Sequence, residues 1–575
     1  MLMTSARSIV TFWRAVRRRL ASEDGFTMVV ALGVLMVTSL LIGAVYVAVD
    51  GGVQLSQRDL NGQRAYYNAR AGENAFLYQL NQNPNYWSTC STDYQPTATT
   101  VPGSSTGGKY SYVPVYNSGY SNSNCTSTNA ISALIDPNTG TLRMEFTGYA
   151  GPNNAAGTPS VKRTLVASFR KPSPLDFLWY TDHEMKDPVL DSKDCTGEKY
   201  YYQYTTVPST IANNCEINWV SGDTMSGPLY TNDQYLIYSG NSPIFGRQGT
   251  SDQIESSAPT ASVCVSNNCQ KAKFYGDGAV AGAEPVPLPQ SVSSTQLLAD
   301  ANANNGAGDS VFTGTTTINL SGAGATISNC PGTTSTASCS TGSQGTWLNK
   351  TIATLPPIIY VQSGSSCPSA YSASTYATNS SGQYYGACGD VYVHGTYSQP
   401  LTIVSDHDII VIGNASTSVC YTPTTACTAN PGLTTTTDGS GNPTGSATLG
   451  LVAGDFVRVM HPSTTGINTP QPITIDAAIL TLSHSFMVDN YSSGSNNPQP
   501  QLTVHGAIAQ RYRGIVGQVG STGYLKNYSY DDRLKVLLPP YLFSLSTAGW
   551  QVSRETLCTP STSTTNTASC AYQGT

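Results

Sequence analysis

A chain of 575 residues is long enough for about three or four domains, yet only 11% of its residues are charged, against roughly 25% in typical soluble domains. Its polarity comes instead from Ser, Thr, Asn, Gly and 35 Tyr, which suits an exported protein and, with 12 Phe, favours half-buried strands over disorder. The net charge of −6 and the lack of a basic stripe after Arg70 argue against a nucleic-acid partner.

Residues 1–25 place Ile9, Phe12, Trp13, Val16 and Leu20 on one helical side, with Arg14, Arg17 and Arg18 off it. Such a segment fits the cytosolic membrane surface, and an unstructured basic retention signal fits equally well. The next stretch, 25–49, is free of charge from Gly25 to Val49 and is closed by Asp50. It is about as long as the roughly 20 apolar residues a membrane-spanning helix needs. A buried helix of a soluble protein seldom runs so far without a charge. A secretory signal is usually shorter and ends at a small-residue cleavage site, which is not clear here. Arg7, Arg14, Arg17, Arg18 and Arg19 precede the run, so the positive-inside rule puts the amino terminus in the cytosol and the remainder outside. From 51 to about 82 the pattern stays helical but polar, with Leu60, Tyr67, Ala71, Phe76 and Leu80 at mostly three- to four-residue steps.

Gly25 followed by Phe26-Thr27 and an apolar helix resembles the processing junction of type IV prepilins. The resemblance implies a cut between Gly25 and Phe26 by prepilin peptidase, with the helix retained. Removing the leader would leave 23 basic against 32 acidic residues, a net charge of about −9. Val30 occupies the fifth position after the cut, where most major pilins carry glutamate, and this argues against a major-subunit role. Residues 60–80, with Ala69-Arg70-Ala71-Gly72, resemble the amino-terminal region of PilX-type minor pilins, over about 25–83 in all.

Beyond that, 84–172 contains two strand-like runs, 142–150 and 161–171, expected to form a small antiparallel sheet packed on the outer half of the helix. Pro172-Ser173-Pro174 marks a boundary. Region 173–290 is β-rich, with short strands such as 234–238. Region 291–550 opens with a short helix near 291–303 and continues in strand runs at 310–322, 389–416, 449–462, 473–489 and 502–514. Strand–turn–strand units without long helices suggest coils stacked into a β-helix, with a β-sandwich as the alternative. Residues 522–543 suit a cap on the end of that stack, and 551–575 form a Ser/Thr-rich tail. The expected fold is mainly β with one long amino-terminal α-helix: a pilin-like helix and small sheet (26–83 and 84–172), then a large β-helix-like head.

The fourteen cysteines all follow the membrane run, and taken in order they form short-range couples. These are Cys90-Cys125, Cys195-Cys215, Cys264-Cys269, Cys330-Cys339, Cys367-Cys388, Cys420-Cys427 and Cys558-Cys570. With no Cys-x-x-Cys present, loop-stapling disulfides in an oxidising compartment are favoured over metal.

Asp182-His183-Glu184 and Asp406-His407-Asp408 set carboxylates beside imidazole, as acid–base and metal sites do. Strand alternation would put only Asp406 and Asp408 on one side, as in polysaccharide-active β-helices. His394, His461, His484 and His505 stand alone and suit hydrogen-bonding roles in turns or strands. No Walker loop, His-Glu-x-x-His or dinucleotide fingerprint occurs. The expectation is therefore a non-catalytic surface protein of the bacterial cytoplasmic membrane, single-pass, without cofactor or metal. Its function would be assembly, priming or adhesion in a type IV pilus or related filament. Its implied partners are the membrane, other pilin or pseudopilin subunits, prepilin peptidase and a surface glycan or host ligand. The alternatives are a membrane-tethered polysaccharide-active enzyme and a single-pass adhesin without a pilus.

Overall fold

The computed structural model describes residues 26–558, except 330–347, 368–385, 413–431, 462–471 and loop stretches of six residues or fewer. The chain is mainly β with one long amino-terminal helix, a small antiparallel sheet and a large parallel one.

Helix α1 (Phe26–Gln82) runs 57 residues without a break. Proline is absent from it and Pro84 follows its end, consistent with a helix that stops where the next turn would lose a donor. Through residue 60 the described side chains are exposed, Leu35 at 63% and Ile42 at 70% among them. This bare half is long and apolar enough to cross a membrane by length and composition. Thr38 returns its hydroxyl to the Val34 carbonyl at 2.8 Å, so it adds no unsatisfied donor to the apolar stretch.

The second half of α1 lies on strands β1 (Gln95–Thr100), β2 (Lys109–Pro114), β3 (Leu142–Asn153) and β4 (Pro159–Arg170), paired antiparallel in that order. On β3, Leu142, Met144, Phe146 and Gly148 alternate inward, as a half-buried strand requires. Phe76 of α1 is their centre, with the rings of Tyr86, Tyr112, Phe146 and Phe169 within 5.2 to 5.9 Å.

After β4 the chain enters a parallel stack through β5 (Trp179–Thr181), β6 (Thr224–Ser226), β7 (Leu229–Thr231), β8 (Ile244–Phe245), β9 (Gln253–Ser256), β10 (Lys273–Phe274) and β11 (Gly278–Ala281). Two columns result, β5–β7–β9–β11 and β6–β8–β10. Residues 282–289 then run back over this first half. Tyr180 donates to the Val286 carbonyl at 2.7 Å and Tyr230 to that of Glu284 at 2.9 Å, their rings stacked 5.5 Å apart. Helices α2 (Ala130–Leu134) and α3 (Ser209–Asn214) are short, and α4 (Ser294–Ala303) follows the return.

The second half begins at β12 (Val311–Thr313) and β13 (Thr316–Gly322). An antiparallel pair, β14 (Gly324–Asn329) and β15 (Leu348–Ile352), lies beside β13. Parallel coils follow: β16 (Ile358–Gln362), β17 (Val391–Tyr397), β18 (Leu401–Ser405), β19 (Ile409–Val411), β20 (Gly432–Thr434), β21 (Leu449–Ala453), β22 (Val457–Val459), β23 (Ile473–Thr481), β24 (Phe486–Val488) and β25 (Gln501–Gln510). A small hairpin of β26 (Gly517–Gln518) and β27 (Thr522–Gly523) leads to β28 (Leu525–Tyr530). Parallel pairing excludes the antiparallel β-sandwich.

The order in space is not the order in sequence. β25 pairs with β5 and β28 with β6, so the last coil of the chain sits on the first. One in-register ladder, Ile359, Ile403, Leu451, Ile479, Ile508, Trp179, Leu229 and Ile254, passes through that joint without interruption. The expected end cap at 522–543 is therefore corrected: β28 lies inside the stack. The strand expected at 234–238 is instead a pair of isolated bridges at Tyr235 and Ile237.

The last strand, β29 (Gln551–Leu557), pairs antiparallel with β4, with Gln551 opposite Arg170. The expected tail thus begins as the fifth strand of the small sheet, and residues 171–550 are inserted between two neighbouring strands. Trp550 explains the return, since it is 3% exposed and its ring meets Trp87 at 6.3 Å in the sheet core.

Candidate assembly site and the polar corners

The face of α1 that meets the sheet consists of Gly62, Ala65, Ala69, Gly72, Phe76 and Leu80, at three- and four-residue steps. This corrects the apolar stripe expected from sequence, because Leu60 is 45% exposed and Tyr67 67%. Small residues are required by the closeness of approach. A Cβ at Gly148 would lie 1.9 Å from the Ala65 carbonyl oxygen and 2.3 Å from the Ala69 nitrogen, and one at Gly72 would lie 2.9 Å from the Tyr110 ring. Ala69 and Gly72 of the Ala-x-Ala-Gly motif are thus sheet-facing positions.

β29 is tied to the same helix by polar contacts. Tyr66 donates to Glu555 at 2.9 Å, Arg70 lies 3.4 Å from Glu555, and Asn81 both donates to the Trp550 carbonyl and accepts from its amide. Glu73, 1% exposed, sits beside Arg70, and burial together with the Glu555 charge raises its pKa against the pull of that guanidinium. Gly25 lies outside the described residues, Phe26 is the first residue of α1, and Val30 is 49% exposed on its bare half.

Disulfides join Cys90 to Cys125, Cys195 to Cys215, Cys264 to Cys269 and Cys367 to Cys388. Cys330, Cys339, Cys420, Cys427 and Cys570 fall outside the described residues, while Cys558 is described and disulfide-bonded.

In the head, charged residues lie both at the turns between columns, as Asp406 does, and within strands, as Arg458 and Asp476 do. Asp406 and Asp408 lie in a bend, not a strand, and do not share a site, which corrects the alternation argument. Asp406 accepts from the Tyr360 hydroxyl and the Ser363 amide. Asp408 accepts from the Phe456 amide at 3.0 Å and from Arg458 at 2.9 Å, and Arg458 continues to Asp489 at 2.8 Å, a buried three-member ladder along the stack. His407 is held by Asp390 at 2.6 Å and faces Asp455 at 3.5 Å. Burial opposes its positive charge, but Asp390, Asp408 and Asp455 prevail and push its pKa up to about 9. Asp390, His407 and Asp408 are close enough to share an ion, yet His407 and Arg458 already supply positive charge there.

Of Asp182, His183 and Glu184, the first two stay within 3.8 Å of each other while Glu184 turns to separate partners. Asp182 accepts from Tyr200 and Asn232, His183 is stacked between Tyr200 and Tyr512, and Glu184 accepts from the indoles of Trp179 and Trp219 and from Arg513. His484 pairs with Asp187, His505 with Asp476, and His461 meets the Asp489 and Asn490 carbonyls. His394 is 4% exposed with Nε2 unpartnered among the described residues, and burial lowers its pKa to about 4. The partners Asp187, Asp390, Asp455, Asp476, Arg458 and Asp489 were missed from sequence, where nothing local links them to their histidines or to each other.

No protein-family model matches the chain, and no curated protein matches it. Among solved structures, the competence-associated pilin ComZ from Thermus thermophilus is similar at 12% identity, over 87% of this chain and 98% of that one, with a TM-score of 0.26. A score that low establishes no shared fold.

Proposed function

We propose that the chain is a membrane-anchored, pilin-like subunit placed at the end of a surface filament, acting in assembly, priming or adhesion without catalysis. The observation that carries this reading is α1, a single helix whose first half is apolar and bare and whose second half is the spine of a small sheet. Such a helix suits transfer between a membrane and a bundle of like helices, because both surroundings cover the same apolar surface. Residues 171–550 leave and re-enter through adjacent β4 and β29, so a load on the head reaches both strands beside α1. Val30 offers no carboxylate to a neighbour's amino terminus inside an apolar core, where an unpaired charge is costly. The 493 residues beyond Gln82 would crowd if repeated along a narrow fibre. Both points favour the end of the filament. The partners in this reading are pilin or pseudopilin subunits, prepilin peptidase and, for the head, a surface glycan or host ligand.

Co-expression with a prepilin peptidase and amino-terminal sequencing of the product tests the anchor: the expected first residue is Phe26, and a start beyond Val49 would remove the reading. Gold labelling of an epitope in 559–575 tests the placement. Label at fibre ends is expected, and regular label along the fibre would overturn it.

A further inference from the structure

The joint between the last coil and the first has unusual contents. The pairing Tyr528↔Met225 and Ser529↔Ser226, followed two residues back, sets Lys526 of β28 beside Asp223, the residue just before β6. Lys526 shares the side of the buried Tyr528, and Asp223 that of the buried Met225, so both face the interior. Lys526 Nζ donates to Asp223 Oδ1 at 2.9 Å, with only 15% of the lysine side chain and 4% of the aspartate exposed. Asp223 Oδ2 is held by the Val220 amide at 3.0 Å. The Trp219 ring lies 4.9 Å from Nζ and also carries the Arg513 guanidinium at 3.9 Å, while Glu184 neutralises Arg513. Tyr528, 1% exposed, has a hydroxyl without a partner among the described residues. Burial and the neighbouring Arg513 charge lower the Lys526 pKa against the pull of Asp223.

We propose that Lys526 and Asp223 are joined in the mature head by an intramolecular amide bond. Proton transfer along the existing hydrogen bond from Nζ to Oδ1 turns the ammonium–carboxylate pair into an amine and a carboxylic acid, the forms that a dry site favours. The Nζ lone pair then attacks Cγ, a C–N bond forms and the C–OH bond breaks. The hydroxyl leaves with a proton from nitrogen as one water. No oxidant, reductant or other reactant is consumed. Holding the reacting groups in contact supplies the effective concentration that condensation in water lacks. The place also calls for a covalent tie. Each described disulfide with two assigned cysteines lies in the small-sheet region or within one half of the stack, so none of them spans the joint. An amide here would span it, so that separating the halves would require breaking a covalent bond. The inference does not depend on the filament reading.

Intact mass of the full-length, detergent-solubilised protein, denatured and with its disulfides reduced, decides the matter. The expected mass is one water below that of the processed sequence, with a branched peptide joining the segments that carry Lys526 and Asp223. Lys526→Arg keeps a cation beside Asp223 but cannot form the bond, and it should restore the full mass. Asp223→Asn should lose one ammonia instead of water. Full mass in the wild-type protein overturns the proposal, and so does a water loss that survives Lys526→Arg. Because the wild-type mass is itself decisive, a variant that fails to fold does not shelter the proposal.

Discussion

The small sheet and the stacked head solve the same burial problem in opposite ways. The sheet packs on a helix, and its core is aromatic and nearly free of charge, with Phe76 among four rings and Glu73 the one buried carboxylate facing it among the described residues. The head packs each coil on copies of a similar coil, and it buries Asp408–Arg458–Asp489, Glu184–Arg513 and Asp223–Lys526. The helix satisfies its own backbone along its length, so the buried face between helix and sheet is mostly apolar and the ion pair Arg70–Glu555 lies at its edge. A parallel stack must turn at its corners, and some of the backbone groups left there are satisfied by carboxylates, as Asp408 does for Phe456 and Asp406 for Ser363. The carboxylates then need cations from the coils above and below.

Breaking one member of the buried ladder should be the most damaging change. Arg458→Met leaves Asp408 and Asp489 without their cation, and a loss of about 3–5 kcal/mol is expected in denaturant unfolding of the solubilised protein. A cost below about 1 kcal/mol would mean that the ladder is incidental. The small sheet should answer comparably to an apolar change: Phe76→Ala is expected to cost about 3–5 kcal/mol by emptying its ring cluster. Gly148→Ala should cost about 1–3 kcal/mol, because the new methyl meets the helix backbone; near-ultraviolet circular dichroism from the Phe76 and Tyr112 rings unchanged by it would contradict the close approach.

Acid and alkali sharpen the contrast next. His407, with a folded pKa of about 9 above its ordinary 6.5, contributes stability that is complete below pH 6.5 and lost as pH rises through 9. His394, at about 4, contributes stability present above 6.5 and lost as pH falls toward 4. Each limb is worth up to roughly 3 kcal/mol. The stability difference between the head and its His394→Gln variant should therefore shift in the variant's favour as pH falls from 6.5 to 4, and a difference that stays constant over that window would overturn the assignment to His394. The smallest effect belongs to the edge strand. Glu555→Gln weakens a half-exposed contact with Arg70 and should cost about 0.5 kcal/mol, which hydrogen exchange along β29 would detect.

The sequence by itself determined the long helix, the bare apolar half, the strands β3 and β4 and most strands of the second half of the stack. Each rests on a local period: a charge-free run for the helix and alternating or β-branched runs for the strands. It also placed the cysteines in short couples that include the four described bridges, since neighbours in sequence are neighbours in space when a loop is stapled. The glycines and alanines of α1 were visible, but not their meaning, because a small residue marks close approach only when the partner is known, here Gly148. Only the tertiary structure decided that β29 returns to β4, that β28 lies within the stack and not at its end, and that His407 belongs with Asp390 and Lys526 with Asp223. Those pairings join residues up to several hundred positions apart. Parallel coils of similar apolar pattern offer many nearly equivalent neighbours, and the choice among them rests on contacts made only when whole coils meet, such as those among Trp179, Trp219 and Arg513 at the joint.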